Sequence, residues 1–243
     1  MLLENMTSNE VKEYLKKDNV IIIPVGATEQ HGPANPLGTD FFTAQYLARE
    51  ASKKAKIICA PTIPIGISEH HKQFAGSLWV RPEVYMELMR QYIHSVLHHG
   101  FIKIIIINGH GGNSAYLKQI AQEIFYDKNI RIATPDALEF FDIKLVSELF
   151  PGFSFKHAEA IETSINLAIN PSLVKEEKLS KIAKPPVVWG FYLNNISLPA
   201  HLTEFAPDGI VGSLKNISKD SGKKILEVAI ANLIKFIEDF RNF

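Results

Sequence analysis

Five residues in this chain have the side chains of a divalent metal site: Glu29, His31, Asp40, His110 and Glu162. Two imidazoles and three carboxylates suit hard-to-borderline ions such as Zn, Mn or Fe(II), and suit neither Ca nor a thiolate site. The set favours a pair of ions over one. A carboxylate such as Asp40 can bridge two metals ~3.5–4 Å apart, leaving two ligands for each and room for a shared hydroxide. Two divalent cations against three carboxylates and one hydroxide come close to neutrality, so the site would tolerate a neutral amide substrate.

The elements that must position these groups are legible around them. An apolar run beginning at Ile21 ends at Gly26 and reads as a buried strand delivering Glu29 and His31 to its carboxyl end. Glu29 and His31 are two apart, so in an extended segment both side chains leave on the same side. Asp40 follows a Gly-Thr turn and opens a helix expected over 39–54, which places its carboxylate at a helix N-terminus. The run 101–107 is apolar without alternation from Ile104 to Ile107, as in a strand buried on both faces of a parallel sheet. It leads into Asn108-Gly-His-Gly-Gly-Asn113 and a helix over 114–126, a strand–turn–helix unit that sets His110 at the sheet edge where open α/β folds hold ligands. Glu162 lies in His157-Ala-Glu-Ala-Ile-Glu-Thr-Ser164, leading into a helix to Ile169.

Further helices are expected over 8–17, from Arg81-Pro82 to about His99, and over 218–240, and further strands over 56–60 and 130–134. The loop after Pro61 carries Ser68-Glu-His-His71, and loops of that length commonly carry function. The stretch 171–207 reads as irregular, either a flap over the site or a subunit contact. The pattern predicts one α/β domain over 1–243, a three-layer α/β/α sandwich with a mostly parallel central sheet.

Composition removes several classes of function. With 26 basic and 26 acidic residues and no basic cluster, no nucleic-acid partner is expected. The single Cys59 allows neither an intrachain disulfide nor a thiolate metal site, which suits the cytoplasm. No signal peptide and no apolar run of membrane-spanning length is read, so no membrane partner is expected. Gly109 to Gly112 could instead cradle an anion at a helix N-terminus, giving a metal-free small-molecule-binding α/β protein. That turn lacks a P-loop lysine, and three nearby carboxylates would repel a phosphate. Ser68 and Ser77 have no nucleophile elbow around them. His94, His98 and His99 read as surface or packing residues, and Trp79 and Trp189 as core or interface residues.

Over most of its length the sequence resembles the creatininase (creatinine amidohydrolase) family. The resemblance is carried by Pro24-Val-Gly-Ala-Thr-Glu-Gln-His-Gly-Pro33 with Pro36-Leu-Gly-Thr-Asp40, the loop 68–77, Asn108 to Asn113, His157 to Ser164, and Asp208-Gly-Ile-Val-Gly212. It implies a three-layer α/β fold, a two-metal hydrolase site and a homo-oligomer, usually a hexamer. Carried over, Glu29, Asp40 and His110 would hold one ion, and His31, Asp40 and Glu162 the other. His157 matches the histidine used near the leaving amine, and its unperturbed pKa near neutrality suits proton delivery. His71, Ser77, Gly111, Gly112 and Asn113 are the expected substrate contacts. Creatininase itself has a glutamate where this chain has Gly112, so that ligand role passes to Glu162. It also has tryptophans upstream of the segment matching His157, where residues 136–156 here hold only phenylalanines as large aromatics. Ala34-Asn35, Ala75 and Glu159 are further departures, and Glu159 adds a carboxylate beside the site.

The reading that follows is a metal-dependent amidohydrolase cleaving a non-peptide C–N bond, a cyclic amide or formamide, by attack of a metal-bound hydroxide. The alternatives within the family are a formamidopyrimidine-nucleotide deformylase of flavin or deazaflavin synthesis and a cofactor-precursor peptidase.

Overall fold

Isoleucine runs build the centre of the molecule, whose structure, a computed structural model, describes residues 1–179, 185–186 and 188–243. β1 (Val20–Val25) and β3 (Lys103–Asn108) lie parallel, with Ile21 opposite Ile104 and Ile23 opposite Ile106. β2 (Ile58–Cys59) flanks β1 and β4 (Ile132–Ala133) flanks β3, giving a parallel sheet of order β2-β1-β3-β4. Successive residues alternate faces, and here both faces are buried. Val20, Ile22, Ile105 and Ile107 pack in one core cluster, and Ile21, Ile23, Ile104 and Ile106 in another.

The helices supply the outer layers. α1 (Ser8–Leu15) is opened by a capping box between Thr7 and Glu10. α2 (Thr39–Ala55), α3 (Pro82–His98) and α4 (Ser114–Lys128) follow, with α5 (Ile143–Leu149), α6 (Ala160–Ile169), α7 (Glu176–Leu179), α8 (Leu202–Phe205) and α9 (Lys219–Asn242) in the second half. Residues of α1, α3 and α4 cover one sheet face; residues of α2, α5, α6 and α9 cover the other. This is the expected three-layer arrangement.

Two strands are shorter than the sequence predicts, for the same reason. Lys56 and Asn129 adopt left-handed conformations (φ 56° and 54°) that end α2 and α4, so the chain has residues to turn before it can pair. Short edge strands also leave little unpaired backbone to recruit another chain. The stretch 171–207 is more ordered than expected, although 180–184 and 187 fall outside the described residues. It holds α7, α8 and an antiparallel hairpin of β5 (Phe191–Leu193) and β6 (Ile196–Leu198). Asn194 and Asn195, both at positive φ, form its two-residue turn. The phenylalanine-rich segment after Asp136 buries Phe140, Phe141 and Phe150 in the α2/α9 layer.

One close approach ties the sheet to the site. A Cβ on Gly109, the residue after β3, would lie 2.2 Å from the carbonyl oxygen of Asp40 in the first turn of α2. Only glycine lets the two backbones meet there. Gly109→Ala is expected to cost about 1–3 kcal/mol, read as a lower urea midpoint. An unchanged midpoint would mean that α2 is free to retreat from β3.

Candidate metal centre

All five candidate ligands converge at the carboxyl edge of the sheet. β1 runs out into the loop carrying Glu29 and His31, β3 into the turn carrying His110, and the first turns of α2 and α6 present Asp40 and Glu162. Asp40 is central. Its Oδ1 lies 3.0 Å from His31 Nε2 and its Oδ2 lies 3.0 Å from His110 Nδ1. Glu29 Oε1 stands 3.4 Å from His110 Nδ1, and Glu162 Oε2 stands 3.8 Å from His31 Nε2. Four donor groups result among the described residues: Glu29–Asp40–His110 and His31–Asp40–Glu162 match the expected ligand sets and share Asp40, while Glu29–His31–His157 and Glu29–His70–His71 share Glu29.

The rings are held from behind, as metal-binding histidines usually are. His31 Nδ1–H donates to the Glu29 carbonyl oxygen (3.1 Å), and His110 Nε2–H donates to the Ile67 carbonyl oxygen (3.0 Å). The nitrogen left over on each ring is the one turned toward Asp40. The main-chain N–H of Ala158 donates to Glu162 Oε2 (2.5 Å), and Ala158 itself is held at φ 54°, a local strain placed beside the site.

A second observation tests whether these groups suit a metal. Among the described residues, Glu29 Oε2, His31 Nε2, Asp40 Oδ2 and His71 Nε2 are buried with no hydrogen-bond partner, although His31 Nε2 and Asp40 Oδ1 are only 3.0 Å apart. Buried polar groups without partners are costly, and donors that converge on a shared space fit a cation there.

The protonation states say the same in terms of charge. Burial works against ionised Glu29 and Asp40, but the imidazoles around them outweigh it, holding Glu29 well below and Asp40 below the usual carboxylate range. Burial also works against charging His31, yet Asp40 and Glu162 raise its pKa from 6.5 to about 10, and against the same burial Glu29 and Asp40 raise that of His110. Without cations, the two histidines neutralise the buried carboxylates. Burial, reinforced by Asp40, pushes Glu162 up to about 7 against the pull of His31, and burial beside Glu162 pushes Glu159 up to about 8.

His157 departs from expectation in one respect. Burial and the charge on His31 push it down to about 3, so in the metal-free fold it is a neutral imidazole rather than a group titrating near neutrality. Its Nδ1 lies 3.8 Å from Glu29 Oε1, within the site. His71, pushed down to about 2 by burial, sets Nε2 3.5 Å from the same oxygen.

A cavity of about 780 Å³ opens over the cluster and is lined by His71, Gly111, Gly112 and His157 among others. Two expected substrate contacts do not line it. The Asn113 side chain is occupied within the fold, donating to the Gly26 carbonyl and accepting from Ile67 N–H, and Ser77 Oγ accepts from Gln30 N–H. Both tie loops together. His70 and Trp189 do line the cavity, and the Trp189 ring stands 5.8 Å from His157 and 6.3 Å from His71. Part of the stretch 171–207 therefore walls the site. Its proline-flanked tryptophan carried no periodic signal that could have placed it there.

The model of the creatinine amidohydrolase family matches residues 4–237. A 3-dehydro-scyllo-inosose hydrolase of Thermotoga maritima is 26% identical over 97% of this chain and 82% of its own. Creatinine amidohydrolase of Pseudomonas putida is 23% identical over 91% of this chain and 90% of its own. A mycofactocin precursor peptide peptidase of Mycobacterium ulcerans is 30% identical over 66% of this chain and 62% of its own. Among solved structures, a mutant creatininase of Zn-Zn type superposes with a TM-score of 0.85 at 22% identity, over 99% of this chain and 98% of that one. A manganese creatininase does so with a TM-score of 0.85 at 21% identity, over the same shares. With the family model spanning nearly its whole length, and with this fold beneath it, the chain belongs to the creatininase family.

Proposed function

We propose that this chain is an amidohydrolase cleaving a non-peptide C–N bond, a cyclic amide or a formamide, with two divalent ions held by Glu29–Asp40–His110 and His31–Asp40–Glu162. The observation that carries the reading is Asp40, a buried carboxylate common to both donor groups. The zinc and manganese forms of creatininase support the choice of metal. When bound, such ions lower the pKa of water toward neutrality and polarise a carbonyl.

The remaining work falls to the chain. Three carboxylates offset most of the charge of two divalent ions, so an uncharged substrate meets a nearly neutral site. His157, neutral and inside the cluster, can take up a proton as the bond to the carbonyl forms and return it to the leaving nitrogen. Trp189 and Phe205 stand edge to face, 5.8 Å between centroids, in the wall of the cavity. A second reading, cleavage of a cofactor-precursor peptide, is favoured by the likeness to the mycofactocin peptidase and by a cavity of about 780 Å³, within the range of sites for sizeable ligands. Homo-oligomerisation, as a hexamer, belongs to the same proposal and is supported by exposed Leu78, Trp79, Val84 and Leu88. Among the described residues no helix is long and apolar enough to cross a membrane; a cytoplasmic location, small-molecule substrate and absence of nucleic-acid partners complete the proposal.

Asp40→Ala is expected to abolish binding of both ions together with amide hydrolysis, measured by elemental analysis and turnover; retained turnover would overturn the site assignment. His157→Ala should keep the metal while turnover falls ~10²–10⁴-fold, and undiminished turnover would remove it from proton transfer. The pH behaviour follows from His31, raised from 6.5 to about 10. The folded chain keeps a proton that the unfolded chain has lost, so this stabilisation is complete below pH 6.5 and is lost as pH rises through about 10. A cation at His31 Nε2 must displace that proton. Metal binding at about pH 8 should therefore release protons, detected by calorimetry in buffers of different ionisation enthalpy. Binding without release would exclude His31 as a ligand.

A further inference from the structure

Gln30 lies between two candidate ligands in sequence, and the metal site makes no use of it. Its side chain is nonetheless buried and in contact with both neutral histidines of the cavity. Gln30 Nε2 is 2.9 Å from His71 Nδ1, 2.9 Å from His157 Nε2 and 3.1 Å from the Gly209 carbonyl oxygen. The orientation of the amide is determined, because Gly32 N–H donates to Oε1 (2.8 Å) while the Gly209 carbonyl can only accept. The loop opposite is shaped around it: Gly209 sits at φ +73°, and a Cβ there would lie 1.9 Å from Gln30 Oε1. This gives a role to the Asp208-Gly-Ile-Val-Gly212 motif, which lies far from the metal ligands in sequence.

Counting protons assigns the rings. His157 Nε2 is also 2.9 Å from the main-chain carbonyl oxygen of Gln30, which can only accept. If His157 carries its proton on Nε2, three N–H bonds meet three acceptors, and the 2.9 Å approach of Gln30 Nε2 to His157 Nε2 is a contact between donors that point elsewhere rather than a hydrogen bond. His157 donates to the Gln30 carbonyl, and the two amide hydrogens go to the Gly209 carbonyl and to His71 Nδ1. If instead Nε2 were the bare nitrogen, its lone pair would face a carbonyl lone pair, and His71 Nδ1 would lose its donor. Buried polar groups favour the arrangement that leaves none unpaired.

We infer that Gln30 is a positioning residue whose main-chain carbonyl and side-chain amide hold His157 and His71 in the same Nε2–H tautomer but facing the cavity by opposite ends. His157 offers the Nδ1 lone pair, 3.8 Å from Glu29 Oε1. His71 offers its Nε2–H, with Nε2 3.5 Å from the same oxygen and no hydrogen-bond partner among the described residues. One residue thereby supplies the site with an acceptor for a proton and, beside it, a donor for an oxygen that gains negative charge. For rings that carry one proton each, the tautomers follow from these contacts, whereas their use by a substrate rests on the amide-hydrolysis reading.

The test is long-range ¹H–¹⁵N correlation spectroscopy of the metal-free full chain labelled in histidine, with ring signals assigned through His71→Gln and His157→Gln. In the unsubstituted protein both rings should show a protonated Nε2 and a bare Nδ1. Gln30→Glu replaces the donating amide group by an accepting oxygen, so the His71 proton should move to Nδ1 while His157 keeps Nε2–H. A proton on Nδ1 of either ring in the unsubstituted protein, or a His71 unmoved by Gln30→Glu, would overturn the assignment. Should Gln30→Glu fail to fold, the spectrum of the unsubstituted protein decides alone. No substrate or metal enters this measurement, so it separates failure of the tautomer assignment from failure of the hydrolase reading.

Discussion

A carboxylate buried between two imidazoles is the interaction on which the rest of this molecule depends. Asp40 is 4% exposed, with a histidine nitrogen 3.0 Å from each of its oxygens. Withdrawing such a group from water is costly unless opposite charge stays close. His31 and His110 provide that charge as imidazoliums in the metal-free fold, and cations could replace their protons at the same places. The partial positive end of α2 adds to this, because Asp40 lies in its first turn. The backbone follows suit: β3 and α2 can present their residues to a common point only because Gly109 brings no side chain between them.

The interaction also explains why the neighbouring histidines differ. His31 is raised by Asp40 and Glu162, and His110 by Glu29 and Asp40, whereas burial lowers His71 and, with the charge on His31, His157. Beside a His70 that burial also lowers, these four histidines thus divide into two that compensate charge and two that stay neutral. The neutral pair shares Gln30, whose contacts link the loop after β1, the loop at 68–77 and the turn at Gly209. Under the proposed function, metal holding by Glu29 and His31 and the positioning of the proton-handling histidines by Gln30 are separate duties of adjacent residues on one segment.

Much of this was legible before any coordinates. The apolar runs at 21–25 and 104–107 specify strands buried on both faces, and Gly and Pro around them mark where polar side chains emerge. The period-two spacing of Glu29 and His31 predicts that they reach one place, and both join a common donor group. What could not be read depends on contacts between residues far apart in sequence. Gln30 gains its significance from His71, His157 and Gly209, none of which is local to it. Asn113 and Ser77 sit in the right motifs, but their polar atoms are consumed by backbone partners that the motifs do not reveal. Trp189 reaches the cavity from an irregular segment, and the hairpin beside it depends on an Asn194-Asn195 turn whose signal is only two residues long.

The central claim is that Asp40 joins two ions into one centre, and electron paramagnetic resonance of the Mn(II)-loaded chain tests it most directly. A carboxylate bridge with ions ~3.5–4 Å apart predicts the spectrum of an exchange-coupled manganese pair, reached as the second equivalent of metal is bound. A spectrum of isolated Mn(II) at saturation, unchanged in line shape from the first equivalent to the last, would contradict it.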